Sequence, residues 1–300
     1  DEAIFHAHEF AEPGILYWDT MKEFHNLEYC SPLSSTNPCG EQPLPKDGCC
    51  NLGHINLERL VNSEGEFEFE LFEERIRMGV KFLDNIIDYN ADRHALPGQK
   101  ENALNDRRIG LGITGLADMF IRMGIKYDSE DALSFTEKMM EFKMVTEYDE
   151  SVNLAGEKGS FPNYDWEGLK KSKFIQNLPE GLQRRIEKEG LRNGTISTVA
   201  PVGSGAIVAE GSGGIEPMFA ISYERDVKTN KGDEIETFKV VYPLLEELFG
   251  GVDNLPNYVV EAHEIDPEFR VRMQGVVQKY IDTSISSTIN LPKDVSVEIV

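Results

Sequence analysis

The sequence predicts an α/β protein, because short apolar strands alternate with long helices along its 300 residues. Hydrophobic residues recurring every three or four positions predict the helices, and short apolar runs between them predict buried strands. Hydrophobic residues make up 40% and charged residues 28%, a balance typical of a globular chain. No segment approaches the roughly 18 apolar residues that a membrane-spanning helix needs, so an integral membrane protein is not expected.

The N-terminal part is predicted to combine short elements with one long helix. A short helical stretch over 4–10 precedes a turn at Pro13-Gly14 and a strand-like apolar run over 15–18. Segment 31–53 is rich in Pro, Gly, Ser and Cys, which predicts a loop with short extended pieces. Apolar residues at helical spacing then predict a long amphipathic helix over 72–87.

The C-terminal part is predicted to alternate between helices, a strand and a loop. A long helix is expected over 130–158, with Asp128 and Ser129 as its N-cap signal. A buried strand over 195–200 leads into a glycine-rich loop over 204–214. The remaining predicted elements are helices over 237–248 and 268–282 and an extended run over 286–292.

The chain is strongly acidic. It has 30 Lys and Arg against 53 Asp and Glu, a formal net charge of −23. Nucleic-acid phosphates would repel such a surface, and no basic run offsets it, so nucleic acid is not an expected partner. A small phosphorylated ligand stays compatible with this charge, because backbone amides bind phosphate without any net positive charge.

All four cysteines fall in one short segment: Cys30, Cys39, Cys49 and Cys50. A secreted disulfide framework would spread its cysteines, so the clustering predicts a reducing cytoplasm. A zinc site would need paired C-x-x-C spacings, and the adjacent Cys49 and Cys50 make a poor chelator. The cluster therefore predicts thiol or redox chemistry, with no metal held by protein ligands.

Residues 110–115 match the pattern G-x-G-x-x-G of dinucleotide-binding loops. That pattern binds a cofactor only when a strand precedes it, and the preceding 105–108 does not read as a strand. We interpret these glycines as residues that let a turn pack tightly against its neighbours.

The most informative stretch is the run over 35–44, followed by a second one over 48–53. Asn37, Cys39 and Glu41 alternate, so an extended loop would present an amide, a thiol and a carboxylate on one side. These groups would converge on one small ligand. A further thiol, Cys50, lies where the chain can fold back towards them.

This run resembles the active-site finger loop of the large, catalytic chain of ribonucleotide reductase, most closely the adenosylcobalamin-dependent class II enzymes. Three further stretches resemble the same family in the same order. They are 107–112, then 200–205 with 214–217, and 288–292.

The resemblance implies part of a ten-stranded α/β barrel built from two five-stranded halves. Residues 1–300 would form a partial catalytic barrel domain, with the finger loop at about 31–53 and a phosphate-binding loop at about 201–205. The first half-barrel would precede Asp1, and a C-terminal cysteine pair would follow Val300. We therefore expect the chain to be a piece of a longer protein.

The resemblance also implies reduction of ribonucleotides, with diphosphates as the expected substrates and adenosylcobalamin as the cofactor. Cys39 would form the thiyl radical that takes hydrogen from the ribose, Glu41 would be the general base, and Asn37 would hold the ribose hydroxyls. Cys50 would be one of two reducing thiols and is preferred over Cys49, because it directly precedes Asn-Leu-Gly. Cys30 is expected to be a small buried hydrophobe.

The residues implied to contact substrate lie in two loops. They are Ser35, Thr36, Asn37, Pro38, Cys39, Gly40 and Glu41 in the first loop, and Pro201, Val202, Gly203, Ser204 and Gly205 in the second. The implied reductant is a thioredoxin-like or glutaredoxin-like protein. The oligomeric state stays open and allows a homodimer.

Three other functions stay open at this point. A class I large chain would need a separate radical-generating subunit. A nucleotide-binding half without activity of its own would complement a separately encoded half. A cysteine hydrolase would use Cys39 as nucleophile, but it leaves Asn37 and Glu41 without a role.

Overall fold

A computed structural model describes residues 2–228, 235–292 and 294–299. Its helices are α1 (Glu2–Phe10), α2 (Trp18–Phe24), α3 (Phe69–Asn90), α4 (Pro97–Asp106), α5 (Leu116–Met123), α6 (Glu130–Lys158), α7 (Trp166–Leu169), α8 (Lys173–Asn177), α9 (Glu180–Glu189), α10 (Ser204–Ala209), α11 (Pro243–Phe249) and α12 (Pro267–Gln278). Its strands are β1 (Ser35–Thr36), β2 (Pro43–Leu44), β3 (Asn51–Asn56), β4 (Ile109–Thr114), β5 (Ser222–Lys228) and β6 (Ile235–Val241).

Four parallel segments lie side by side and form the frame of the molecule. Strand β3 pairs in parallel with β4, from Asn51 opposite Ile109 to Asn56 opposite Thr114. Parallel bridges continue the array, from Leu111 to Ser197 and from Val199 to Ile285. Parallel neighbours need long crossover connections, and the helices between the segments supply them.

The described residues contain both helices and strands but no closed sheet. The predicted α/β class is confirmed at that level, and a ten-stranded barrel is not seen in this part of the chain. Within the described ranges, β3 pairs on one edge only, with β4. Two antiparallel pairs, β1 with β2 and β5 with β6, stand apart from the parallel array.

The core forms where α3 and α6 pack on one face of the parallel array. Helix α3 buries Phe72, Ile76 and Val80 on its apolar side. Gly79 lets this helix approach closely, since a Cβ there would lie 2.9 Å from the Leu111 side chain. The predicted amphipathic helix over 72–87 is therefore confirmed, and its apolar stripe faces the sheet.

Two further predicted helices are also confirmed. Helix α1 covers the predicted stretch over 4–10, and α6 has the predicted bounds. The Ser129 hydroxyl caps α6 by accepting a hydrogen bond from the Ala132 amide at 3.2 Å. Asp128 does not cap this helix and instead contacts Lys126 at 3.0 Å.

Several local predictions are wrong. The apolar run over 15–18 forms no strand, because it pairs with no described segment, and Trp18 begins α2. The loop predicted over 204–214 begins with the short helix α10. The helix predicted over 237–248 is a strand up to Val241, where β-branched residues favour pairing with β5, and the helix α11 begins at Pro243.

The ends of three other predicted segments also differ. The loop predicted over 31–53 ends earlier, because β3 begins at Asn51. Helix α12 ends at Gln278 rather than at residue 282. The extended run over 286–292 forms no strand, and the parallel bridge beside it lies at Ile285.

Candidate active site

The predicted finger loop is a short β-hairpin. Strands β1 and β2 pair with Ser35 opposite Leu44, and the Asn37 amide donates to the Gln42 carbonyl at 3.1 Å. Gly40 has a φ of +81°, in the left-handed region that glycine adopts without a Cβ clash. This tight closure leaves Cys39 exposed at the tip of the hairpin.

Asn37 and Glu41 form a hydrogen-bonded pair within this hairpin. The Asn37 Nδ2 donates to Glu41 Oε1 at 2.7 Å, and the Asn37 Oδ1 accepts from the Gln42 amide at 3.0 Å. Glu41 is 2% exposed, and its Oε2 has no hydrogen-bond partner among the described residues. One carboxylate oxygen is thus fixed, and the other is free to accept a proton.

The hairpin is attached to the parallel array through its backbone. The Glu41 carbonyl accepts hydrogen bonds from the Ser284 amide and the Thr198 hydroxyl, both at 3.1 Å. The Gln42 Nε2 donates to the Thr283 hydroxyl at 3.4 Å. The position of the Glu41 backbone therefore depends on two segments that are distant in sequence.

The glycines of the G-x-G-x-x-G run are packing residues, as predicted, but they do not form a turn. Gly110 and Gly112 lie in β4, and Gly115, which follows that strand and precedes α5, has a left-handed φ of +74°. A Cβ at Gly110 would lie 2.7 Å from Leu52, 2.8 Å from Thr198 and 3.1 Å from the Gln42 Nε2. The missing side chain leaves room for the finger hairpin against the sheet.

The neighbouring Cys49 and Cys50 face different surroundings. Glu41 is among the charged groups that act on Cys50, whereas Cys49 lines a small cavity with Asn90 of α3 and Ala103 of α4. Burial raises the pKa of both thiols. Glu41 is thus a charged neighbour of Cys50.

The expectation that Cys30 is a small buried hydrophobe is wrong. It is exposed rather than buried, and its Sγ donates to the Leu27 carbonyl at 3.7 Å. It lies in a turn at the surface. All four cysteines are free thiols.

The predicted phosphate-binding segment over 201–205 follows the third parallel segment directly, and its last two residues, Ser204 and Gly205, begin α10. Val202 is half-buried, and the other four residues of this loop are exposed. A Cβ at Gly213 would lie 2.7 Å from the Val202 carbonyl oxygen, so the two parts of the glycine-rich region pack closely. The loop lies beyond the carboxyl end of a parallel strand, where ligands bind in open α/β sheets.

A buried polar network supports the array from behind. Lys143 Nζ donates to the Leu111 carbonyl at 2.8 Å and to the Ser197 hydroxyl at 2.9 Å. Asp282 accepts from the Ser197 amide at 2.8 Å. Burial raises the pKa of Glu147, the partner of Lys143, to about 7, and that of Asp282 to about 6.

Sequence reasoning did not find the groups that hold the site together. Arg270 forms an ion pair with Glu216 and donates to the Thr288 carbonyl at 3.0 Å. It thereby joins two of the stretches that carried the resemblance. Arg270 and Thr198 belong to no local pattern, so only their tertiary contacts reveal them.

The described ranges contain no group of three or more His, Cys, Asp or Glu that could hold a metal ion. Within the same ranges, no helix is long and apolar enough to cross a membrane.

Comparisons with known proteins show the family to which the chain is related. The family profile described as "Ribonucleotide reductase, barrel domain" matches residues 1–300. The chain is 34% identical over 323 residues to a vitamin B12-dependent ribonucleoside-diphosphate reductase of Thermoplasma acidophilum, covering 99% of this chain and 39% of that protein. A protein of the same name from Mycobacterium tuberculosis is 33% identical over 310 residues, covering 97% of this chain and 42% of that protein.

A more distant relative is the ribonucleoside-diphosphate reductase large chain of Encephalitozoon cuniculi. It is 25% identical over 320 residues, covering 95% of this chain and 41% of that protein. The chain spans about two fifths of the length of these curated relatives.

Proposed function

Because the chain belongs to the ribonucleotide reductase barrel-domain family, we propose that it reduces ribonucleotides to 2′-deoxyribonucleotides as part of a longer catalytic chain. The observation that carries this proposal is the Asn37–Glu41 pair, with its free carboxylate oxygen, two residues from an exposed thiol. The names of the B12-dependent relatives support ribonucleoside diphosphates as substrates.

Cys39 is the residue that exchanges hydrogen with the ribose. Its thiol is exposed at the hairpin tip, so a substrate and a radical source can both reach it. The S–H bond is weak enough to give up hydrogen and take it back. In this role Cys39, as a thiyl radical, removes hydrogen from the ribose 3′-carbon.

Glu41 is the general base that takes the 3′-hydroxyl proton. The Asn37 amide occupies one carboxylate oxygen, and the buried Oε2 is left to accept the proton. The same amide is fixed from its other side by the Gln42 backbone, and its second N–H is left to bind the ribose hydroxyls. The pair therefore combines proton transfer with substrate orientation.

Cys50 is one of two thiols that supply the electrons. Overall, two S–H bonds break and one S–S bond forms, while the 2′-hydroxyl leaves as water and a C–H bond replaces it. Its charged neighbour Glu41 supports Cys50 over Cys49 for this role. The second thiol comes from another part of the longer protein.

Substrate phosphates bind at Pro201–Gly205. This loop is exposed and follows the segment that contains Thr198, so it is connected directly to the anchor of the finger hairpin. Its glycines and the Ser204 hydroxyl offer donors that suit an anion and need no net positive charge. Ser35, Thr36, Pro38 and Gly40 complete the contacts from the hairpin side.

Adenosylcobalamin is the cofactor that fits this chain. When bound, it supplies the radical that starts the reaction. The exposed Cys39 thiol is the group on this chain that must meet it, and Gly40 keeps the hairpin tip narrow beside that thiol. Its cobalt arrives within the organic cofactor, so the chain needs no cluster of metal-ligating side chains of its own.

The rest of the longer protein completes a barrel at the free edge of β3. Leu52, Met78 and Phe82 are exposed large hydrophobic residues around this edge. The last two line a groove of about 470 Å³ beside it. An unpaired strand edge with apolar neighbours calls for a covering segment. The domain over 1–300 thus joins a first half-barrel, and a thioredoxin-like or glutaredoxin-like protein in a reducing cytoplasm renews its thiols.

The test uses the full-length protein that contains this chain, with a ribonucleoside diphosphate, adenosylcobalamin and a dithiol. Cys39→Ser is expected to abolish deoxynucleotide formation, because a hydroxyl does not form the hydrogen-abstracting radical. Cys30→Ser is the matched control, since this exposed thiol lies outside the hairpin, and it should retain activity. Appreciable product from Cys39→Ser would overturn the assignment, and equal product without cobalamin would favour a class I chain.

A further inference from the structure

Arg108 is a buried cation whose hydrogen-bonding capacity is only partly used. Its side chain is fully buried, with Nε 3.2 Å from Asp106 Oδ2 and Nη2 3.3 Å from His25 Nε2. Its Nη1 has no hydrogen-bond partner among the described residues. A buried guanidinium with free N–H groups favours an anionic partner.

The carboxylate of Asp106 does not fully satisfy this cation. The same two oxygens also accept hydrogen bonds from Ser31 at 2.9 Å, Asn163 at 2.8 Å and Asn102 at 3.1 Å. Arg108 reaches this crowded carboxylate through Nε alone, without the bidentate geometry of a strong arginine–carboxylate pair. Burial lowers the pKa of His25 to about 3, so its ring is neutral and provides no charge to balance Arg108.

The cysteine pair lies beside this cation. The β3–β4 register begins with Asn51 opposite Ile109, so Cys50 and Arg108 are the residues immediately before that pair. Adjacent strands lie about 4.8 Å apart, which brings the two residues together. Cys49 lines a cavity of about 10 Å³ with Arg108 and His94.

We propose that the Arg108 guanidinium is the electrostatic partner of a thiolate at Cys50 and controls the reactivity of that sulfur. Arg108 is a positioning residue that acts through Cys50. The use of this thiolate in ribonucleotide reduction rests on the proposed function, whereas the pairing itself does not. The proposal also gives a role to Arg108, the second arginine of the Arg-Arg sequence before β4.

The charged groups around the two thiols determine whether each substitution should raise or lower the thiol pKa. Burial is the largest influence and raises the pKa of Cys50, and Arg108 opposes it as the first charged group. Asp282, Cys49 and Glu41 act in the same direction as burial. At Cys49, Arg108 lowers the pKa and Asp106 raises it. Removing Arg108 or Asp106 should therefore change thiol reactivity in opposite directions.

The test measures the alkylation rate of Cys50 by a small reagent at fixed pH in the full-length protein, with each cysteine resolved by peptide mass spectrometry. Loss of a nearby cation raises a thiol pKa by about 1–3 units. Each unit cuts the thiolate fraction tenfold but raises its nucleophilicity, so the rate falls about 3-fold per unit. Arg108→Gln should thus react about 3- to 30-fold more slowly at Cys50.

Two variants serve as controls. Arg108→Lys keeps the charge and should retain most of the rate. Arg192→Gln removes another buried arginine, one bound to Asp84 and the Gly159 carbonyl, and should leave the Cys50 rate unchanged. A slower alkylation of Cys50 in Arg108→Gln cannot be caused by unfolding, because an unfolded chain exposes its thiols and reacts faster.

Asp106→Asn should have the opposite effect in a protein of native circular dichroism. Alkylation of Cys49, on which Asp106 acts directly, should be faster, and so should that of Cys50, because Arg108 then lacks its present carboxylate partner. If Arg108→Gln fails to fold, this variant decides alone. An unchanged or faster Cys50 rate in folded Arg108→Gln, or an unchanged rate in Asp106→Asn, would overturn the proposal. No nucleotide is present, so failure of the reductase assay would leave this result standing.

Discussion

Thr198 is the side chain whose loss should weaken the attachment of the Glu41 backbone, and with it of the proposed catalytic base, to the parallel array. Its hydroxyl is fully buried and lies 3.1 Å from the carbonyl oxygens of both Glu41 and Ser284. Valine has nearly the same shape but no hydroxyl. Thr198→Val should therefore remove this anchor without creating a cavity.

The expected loss of stability follows from the hydrogen bonds that the two carbonyls keep after the substitution. The Glu41 carbonyl keeps the Ser284 amide at 3.1 Å, and the Ser284 carbonyl keeps the Val199 amide at 3.2 Å. Because neither carbonyl loses its last partner, the cost should be that of one hydrogen bond, about 1 kcal/mol. A small displacement of the Glu41 carboxylate matters more for catalysis, and we expect kcat to fall roughly 10-fold.

The assay combines denaturant unfolding with steady-state kinetics of the full-length protein. Turnover should fall while KM stays nearly constant, since Thr198 anchors the proposed base and is not among the residues proposed to bind substrate. Thr198→Ser is the control, because it keeps the hydroxyl and loses only a methyl group. If the valine variant turned over like the parent, or if the serine variant lost more activity than the valine variant, the anchoring argument would fail.

Three further predictions concern the carboxylates and the packing around this anchor. Glu41→Gln should lower kcat strongly with little change in nucleotide affinity, measured by binding and turnover, because the amide keeps the shape but accepts no proton. Burial raises the pKa of Glu147 to about 7, above its ordinary value near 4.5. Its stability contribution is therefore complete below pH about 4.5 and lost as pH rises through about 7. In Glu147→Gln the unfolding free energy should decline less as pH rises from about 4.5 to about 7, and an unchanged pH dependence would contradict this prediction. Gly110→Ala should cost about 1–3 kcal/mol of unfolding free energy by overpacking against Leu52 and Thr198, whereas Gly14→Ala, with open space around it, should be neutral.

The sequence predicted well what local patterns determine. The bounds of α6 follow from helical periodicity and the Ser129 cap, and the finger hairpin pairs residues at most nine positions apart, Ser35 with Leu44. Local patterns could not predict the anchoring contact of the hairpin, since Thr198 lies 157 positions from Glu41 in the sequence. Strand β6 was missed for the same kind of reason, because its pairing with β5, rather than its own periodicity, decides its conformation.

The surroundings of Cys49 and Cys50 finally bear on where the second electron-donating thiol lies. A disulfide requires sulfur atoms about 2 Å apart, and neighbouring residues reach that distance only through a strained peptide. Here Cys49 lines a cavity with α3 and α4 residues, whereas Cys50 has Glu41 as a charged neighbour. A Cys49–Cys50 bond would have to reorganise the start of β3. We therefore expect residues 1–300 alone to give no turnover with cobalamin and a dithiol, and addition of a first half-barrel from a related class II enzyme to restore it. Multiple turnovers by the isolated chain, measured as deoxynucleotide formed per chain, would show that its own cysteines suffice.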